Sequence, residues 1–215
     1  MTGVEVWLYG SAARGDSDEL SDIDLLVVGE PGEETDLSKI APADNISVSR
    51  YAWDEIDAMV GYGSLFLQHV KQEGRPLMEQ QPPRLRRLLD QLPAYARADQ
   101  ELDSFSLVVT DVHDAAGGDY SPQFELAVLA TAARHAAILG CYLIGEPHFG
   151  RSEPFRVLLP RLGFSAADIE DFQRLYRYRV SENLGEVIRV DGRDEVLTWV
   201  ARVATLIARV RELPR

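Results

Sequence analysis

Apolar residues fall into short runs over the first third of the chain and into helical stripes over the rest. The first run, Val4 to Tyr9, ends at Gly10-Ser11, and a second opens at Asp22-Ile23-Asp24 and ends near Val28. A third, Ile46 to Tyr51, follows a polar connection that begins at Pro31-Gly32-Glu33-Glu34 and extends to Asp44. Short runs rich in Val, Ile, Leu and aromatic residues, bounded by turn residues, predict strands. Trp53, Ile56 and Val60 then recur at helical spacing. Ser64 reads as the N-cap of a helix from Leu65 to Glu73, with Leu65, Phe66, Leu67 and Val70 on one broad apolar face and Gly74 and Pro76 at its end. Arg75 to Met78 reads as a short closing strand.

Gln80-Gln81-Pro82-Pro83 is a polar, proline-rich hinge, and beyond it every periodic segment is helical. Helices are predicted over Arg84 to Leu92, Leu102 to His113, Pro122 to Leu143, Glu153 to Leu162, Ala166 to Val180 and Asp194 to Leu213. Ser121-Pro122 with Glu125 gives the third of these a capped start, and Val196, Trp199, Val200, Val203 and Ile207 form one stripe of the last. The fold class that follows is α+β, with a strand-containing core over residues 1–80 and an all-α helical bundle over 83–215. No internal repeat or low-complexity segment interrupts either part.

The chemistry concentrates near the N-terminus. Alternation along a strand sends Asp22 and Asp24 to one face and Ile23 to the other. Two carboxylates side by side repel each other and cost stability unless a cation joins them. Mg2+ suits the pair, since it takes hard oxygen ligands and is commonly held by one or two carboxylates plus substrate phosphates. Gly10 lets the backbone approach a ligand closely, and Ser11 can bond a phosphate oxygen or cap the helix that follows, whose first N–H groups favour an anion. Arg14, one turn on, brings a cation toward the same phosphates. Strand, anion-binding turn, helix and metal-binding strand together describe a site for a nucleoside triphosphate and its Mg2+.

The run Gly10-Ser11-Ala12-Ala13-Arg14-Gly15-Asp16, followed by Ser21-Asp22-Ile23-Asp24-Leu25-Leu26-Val27, resembles the minimal nucleotidyltransferases of the DNA polymerase β-like superfamily. The ordering through a helix that ends in Gly-Arg-Pro-Leu also looks like the end of such a core. The resemblance implies a small mixed sheet flanked by helices, in which two metal ions assist transfer of a nucleoside monophosphate from an NTP to an acceptor, with release of pyrophosphate. It places the triphosphate on Gly10 and Ser11 and the metals on Asp22 and Asp24; Arg14 and Ser21 match the motif as well. It also implies a third, catalytic carboxylate on a later strand, one that ligates the second metal and helps deprotonate the attacking hydroxyl. The corresponding strand here reads Ile-Ser-Val-Ser-Arg-Tyr, with Ser47 and Ser49 on one face. Asp44, just ahead of it, is the candidate for the third carboxylate, whereas Asp54 and Glu55 read as the start of the next helix. Without that group three outcomes stand open: activity with a base from elsewhere, slow activity, or a nucleotide binder that has lost the chemistry.

Other chemistry-bearing residues read as structural. His69, four residues before Glu73 on a helix with no metal-ligand partner at matching spacing, can be read as a catalytic base but better suits a packed or hydrogen-bonded structural residue. Arg84, Arg86 and Arg87 suit a surface, or a contact to a partner. Arg174-Leu175-Tyr176-Arg177-Tyr178-Arg179, near Glu182 and Asn183, suits either an anionic ligand or a solvated helix face with packed tyrosines. The helical part resembles HEPN domains but lacks their RNase signature, an arginine and a histidine with four to six residues between them, so RNA cleavage is not expected.

Composition narrows the partners. The chain has 215 residues, is 46% hydrophobic and carries a net charge of -13, which disfavours nucleic acid backbones and acidic membranes. The acceptor left in view is a protein side chain, as in toxin–antitoxin pairs in which an enzyme adds AMP to its partner, or a small hydroxylated molecule such as an aminoglycoside. The alternative is a nucleotide- or partner-binding module of antitoxin type. A single cysteine, Cys141, excludes an internal disulfide and fits a reducing cytoplasm. Met1-Thr2-Gly3 leads straight into the first apolar run with no export signal, and the apolar stretch from Leu126 to Leu143, interrupted by Arg134 and His135, suits a buried helix better than the ~20-residue span a membrane requires. Oligomeric state stays open.

Overall fold

The structure is a computed structural model and describes residues 3–17, 21–33, 36–37, 45–80, 82–116, 118 and 121–214. The chain forms two compact units, Met1–Ala96 and Arg97–Arg215. The first contains β1 (Glu5–Tyr9), α1 (Gly10–Arg14), β2 (Ile23–Gly29), β3 (Ile46–Ala52), α2 (Trp53–Gly61), α3 (Leu65–Glu73), β4 (Arg75–Met78) and α4 (Arg84–Asp90). Its four strands run in the order β3-β2-β1-β4, with β1 antiparallel to β2 and β4, and β2 parallel to β3. The sheet is therefore mixed, as the family resemblance implied.

Strand alternation sets the two faces. Trp7, Tyr9, Leu26 and Val28 lie on one face beneath Trp53 and Ile56 of α2, Leu67 and Val70 of α3, and Leu85 and Leu89 of α4. The other face carries a smaller cluster of Val4, Val6 and Val27. Each side chain so buried contributes ~1.5–3 kcal/mol, and the first face is the principal core of this unit.

Glu5 shares the parity of Trp7 and Tyr9 and is fully buried. Its carboxylate accepts the backbone N–H of Arg84 at 2.6 Å and of Leu85 at 3.2 Å, with the indole N–H of Trp7 at 3.4 Å. Pro83 at the start of α4 offers no side-chain cap, so Glu5 satisfies the first N–H groups and places its charge at the favourable end of the helix. This cap, together with Leu85, Leu89 and Leu92 packed in the core, holds α4 to the first unit, which extends to Ala96. The arginines of α4 lie on the same unit: Arg84 covers the Trp53 ring at 4.4 Å and pairs with Asp57, and Arg86 pairs with Glu79.

The second unit consists of α5 (Ala98–Ala115), α6 (Pro122–Leu143), α7 (Glu153–Arg161), α8 (Ala166–Leu184) and α9 (Arg193–Arg211). Helix α6 packs against the other four. Buried alanines at 127, 130, 133 and 137 leave room for close approach. At Gly140 a Cβ atom would lie 2.4 Å from Leu158 Cδ2. By length and composition α6 could cross a membrane, yet 67% of its apolar window is buried inside the helical unit. Helix α6 starts as its sequence predicts, with Pro122 in the first turn and the Ser121 hydroxyl accepting the Phe124 N–H.

Candidate functional site

The antiparallel register of β1 and β2 sets Tyr9 opposite Asp24. The next residue, Gly10, has φ +71° and opens α1. A Cβ atom there would stand 2.5 Å from Asp24 Oδ2. Glycine is thus required twice, for a left-handed backbone and for contact between the turn and the carboxylate. Ser11 follows directly, its carbonyl accepting the N–H groups of Gly15 at 2.9 Å and Asp16 at 3.2 Å, and its hydroxyl accepting from that of Ser17 at 3.4 Å. Asp22 is exposed just ahead of β2 and Asp24 is half-buried two residues on. Ser21 is buried, and its carbonyl accepts the Asn45 side-chain N–H at 2.8 Å while the Ile23 N–H donates to the Asn45 carbonyl at 2.9 Å. These two bonds stitch the entry of β2 to the start of β3.

On β3, Ser47 stands beside Asp24 and Ser49 beside Leu26 in parallel register. The Ser49 hydroxyl pairs with that of Tyr9 at 3.0 Å. Burial pushes the Tyr9 phenol above its usual pKa, the Ser49 bond opposes this, and the Asp24 charge raises it further, so the phenol stays protonated near neutral pH. Asp44 lies outside the described residues. Asp54 and Glu55 occupy the first turn of α2, where the Glu55 carboxylate accepts the Ala52 N–H at 2.7 Å. Among the described residues no three His, Cys, Asp or Glu side chains gather as a metal set. Asp22, exposed ahead of β2, and Asp24, beside the Gly10 turn, are the two carboxylates at the opening of β2; the chemistry of such a pair fits an ion that completes its shell with phosphates.

Arg14, at the end of α1, is held by two carboxylates. Its Nη1 donates to Glu73 Oε2 at 2.5 Å and its Nε to Asp16 Oδ2 at 3.1 Å. His69 Nε2 meets the same Glu73 oxygen at 2.8 Å, and the His69 ring packs edge-on against Tyr9 with centroids 5.5 Å apart. Burial pushes the Glu73 carboxyl up, but the hydrogen bonds and charges of His69 and Arg14 outweigh it and hold the group below its ordinary value. A hydrogen-bonded structural role for His69 was legible in the sequence, and its partner is Glu73 one helical turn on; the link to Arg14, 59 residues away, carried no sequence signal. Tyr9 shares the face of Asp24 through the register of β1 on β2, which is likewise a tertiary feature.

In the helical unit Arg174, Arg177, Tyr178, Glu195, Trp199 and Arg202 line a cleft of about 460 Å³. Its charges are largely compensated. Arg202 donates to Asp168 at 2.9 Å and Asp171 at 2.8 Å while covering the Trp199 ring at 4.4 Å, and Arg174 also pairs with Asp171. The Tyr178 hydroxyl donates to Glu195 at 2.9 Å, and burial together with that carboxylate pushes its pKa up to about 12. The arrangement is a clasp between α8 and α9.

No curated protein matches the chain. Residues 2–64 match the nucleotidyltransferase domain family, a span that holds β1, the Gly10-Ser11 turn, Asp22, Asp24, β3 and α2. With the mixed sheet and the contact between turn and carboxylate, that match makes this N-terminal segment similar to the nucleotidyltransferase domains of the DNA polymerase β-like superfamily, whose general chemistry is nucleotidyl transfer.

Proposed function

We propose that the protein is an Mg2+-dependent nucleotidyltransferase that moves a nucleoside monophosphate from an NTP, in the first instance ATP, to a hydroxyl on a protein or a small molecule. The observation that carries this function is the contact of Gly10 with the Asp24 carboxylate, where a Cβ atom would stand 2.5 Å from Oδ2. It joins an anion-binding turn to a metal-binding carboxylate within one residue of β1.

Gly10 and Ser11 would receive the β and γ phosphates through backbone N–H groups and the Ser11 hydroxyl. Asp22 and Asp24 would hold Mg2+, which supplies charge neutralisation on the triphosphate when bound. Tyr9, neutral and tied to Ser49, borders Asp24 without adding charge. The acceptor oxygen attacks the α-phosphorus in line, its proton passes to a base, and pyrophosphate leaves; positioning and electrostatics carry most of the rate. Asp44 is the candidate for that base. A cytoplasmic setting, with a reduced Cys141 and abundant Mg-ATP, suits this activity.

A second function is favoured by β3, which presents Ser47 and Ser49 where the superfamily has a carboxylate. On it the protein binds nucleotide and a partner without turnover. Incubation with each labelled NTP, Mg2+ and candidate acceptors, followed by pyrophosphate release, separates the two. Release abolished by Asp22→Ala with Asp24→Ala supports transfer, whereas nucleotide binding with no release under any condition supports the binder.

A further inference from the structure

Glu73 is far from the motif in sequence, and its side chain is only 7% exposed. One of its oxygens accepts from two elements of the site at once. Arg14 Nη1 reaches it at 2.5 Å from the end of α1, and His69 Nε2 at 2.8 Å from the preceding turn of α3. The opposite end of α1 is Gly10, in contact with Asp24. A five-residue helix has too little internal hydrogen bonding to hold its own orientation, so its placement depends on what fixes its two ends. The His69 arm reaches the same place by another route, since His69 packs edge-on against Tyr9, the strand partner of Asp24.

We propose that Glu73 is a positioning residue for nucleotidyl transfer: through Arg14 it fixes the Gly10-Ser11 turn against Asp24, and through His69 it fixes the Tyr9 side of the same carboxylate. This rests on the nucleotide site proposed above. Arg14 accordingly serves as the handle by which α1 is held. A buried, charge-assisted contact of this kind is worth more than an exposed pair, and loss of outer-sphere partners typically costs about 10–100-fold in metal affinity or activity.

The test uses the full chain and reads Mg-ATP affinity by calorimetry, pyrophosphate release, and thermal unfolding on the same preparations. Glu73→Gln keeps the shape and an acceptor but removes the charge; Mg-ATP affinity and turnover should each fall about tenfold. Arg14→Met, at a quarter-exposed position, should give a similar loss and serves if Glu73→Gln does not fold. The double variant should be no worse than the more damaged single one, because both changes cut one contact, and Arg14→Lys should retain more affinity than Arg14→Met. Unchanged affinity and turnover in both single variants, with only the melting temperature lowered, would show a structural role and overturn the assignment. Additive losses in the double variant would overturn it too. A wild-type chain that binds neither Mg-ATP nor Mn2+ alone sinks the nucleotide site and the Glu73 assignment together, whereas wild-type binding with unaffected variants sinks the assignment alone.

Discussion

In the N-terminal unit carboxylates lie inside. Glu5 is fully buried and Glu73 nearly so, each held by two or more donors, and Ser21 and Ser64 are buried with them. The helical unit fills its interior with alanine, leucine and phenylalanine and keeps ion pairs such as Arg161–Glu146 and Arg211–Asp103 outside, with the pairs of Arg202 to Asp168 and Asp171 half-buried; among its described residues Ser181 is the only polar residue buried as a whole. A buried carboxylate costs several kcal/mol unless donors compensate it. The first unit accepts that cost where it fixes one element against another: Glu5 seats α4, and Glu73 seats α1. The second is stabilised mainly by packing around α6. Damage should therefore look different in the two, with lost alignment in the first and lost packing in the second.

The largest effect is expected at Gly10. Gly10→Ala adds a Cβ atom 2.5 Å from Asp24 Oδ2 on a backbone with φ +71°, and an L residue in that region costs ~1–2 kcal/mol before the clash is counted. Mg-ATP binding and pyrophosphate release should fall more than ~100-fold, since misplacement of about 1 Å suffices for such a loss. Gly15 isolates the backbone contribution, having φ +82° but nothing within 4 Å of a Cβ atom. Gly15→Ala should lower stability modestly and leave binding within a few fold. Equal damage from the two would break the claim that contact with Asp24 is what matters.

Glu5→Ala comes next. It strands the N–H groups of Arg84 and Leu85 and the Trp7 indole in the core, and should cost ~3 kcal/mol at denaturation. Hydrogen exchange should rise first in α4, with α6 little changed. Protection lost evenly along the chain would erase the contrast between the units. Gly140→Val is the matching change in the helical unit. Its Cβ would overlap Leu158, which is fully buried, and overpacking of this kind costs ~1–3 kcal/mol. Exchange should rise in α6 and α7. Gly140→Ala should cost less, because better helix propensity returns ~1 kcal/mol.

How much of this was legible follows from the range of the interactions. Helix α6 came out at Pro122–Leu143 and α3 at Leu65–Glu73 as expected, because caps and 3.6-residue periodicity are local. The pairing of the Gly10 turn with Asp24 was legible as well, since the motif fixes both ends. What set the edge of the first unit was not: Glu5 reaches α4 across 79 residues, and an acidic residue inside an apolar strand gives no hint of what it caps. Seen in the chain, the proline-rich segment at 80–83 looked like a boundary, whereas the bonds of Glu5 to α4 and the burial of Leu85, Leu89 and Leu92 keep that helix with the first unit. Likewise Arg14, close in sequence to the Gly10-Ser11 turn, suggested a phosphate contact, while its link to Glu73 lies in the tertiary fold.

The smallest effect, and the one that most sharpens the contrast, is the pH dependence carried by Glu73. Burial alone would raise its pKa above the ordinary 4.5, but His69 and Arg14 hold it below that value in the folded chain. A carboxyl depressed on folding stabilises the fold at pH values above its unfolded pKa, and that contribution is lost as pH falls through the folded one. Wild type should therefore lose stability faster than Glu73→Gln as pH drops below 4.5, and the difference between their urea midpoints should shrink steadily there while staying constant above pH 6. Paired changes on the helical surface should show much less of this. Asp103, at 70% exposure in its pair with Arg211, is largely screened by solvent, so Asp103→Asn should track wild type across the same range. A Glu73→Gln midpoint parallel to wild type through the acid limb would mean that the buried cluster holds α1 by shape alone, and that charge inside the first unit does no more than charge on the surface of the second.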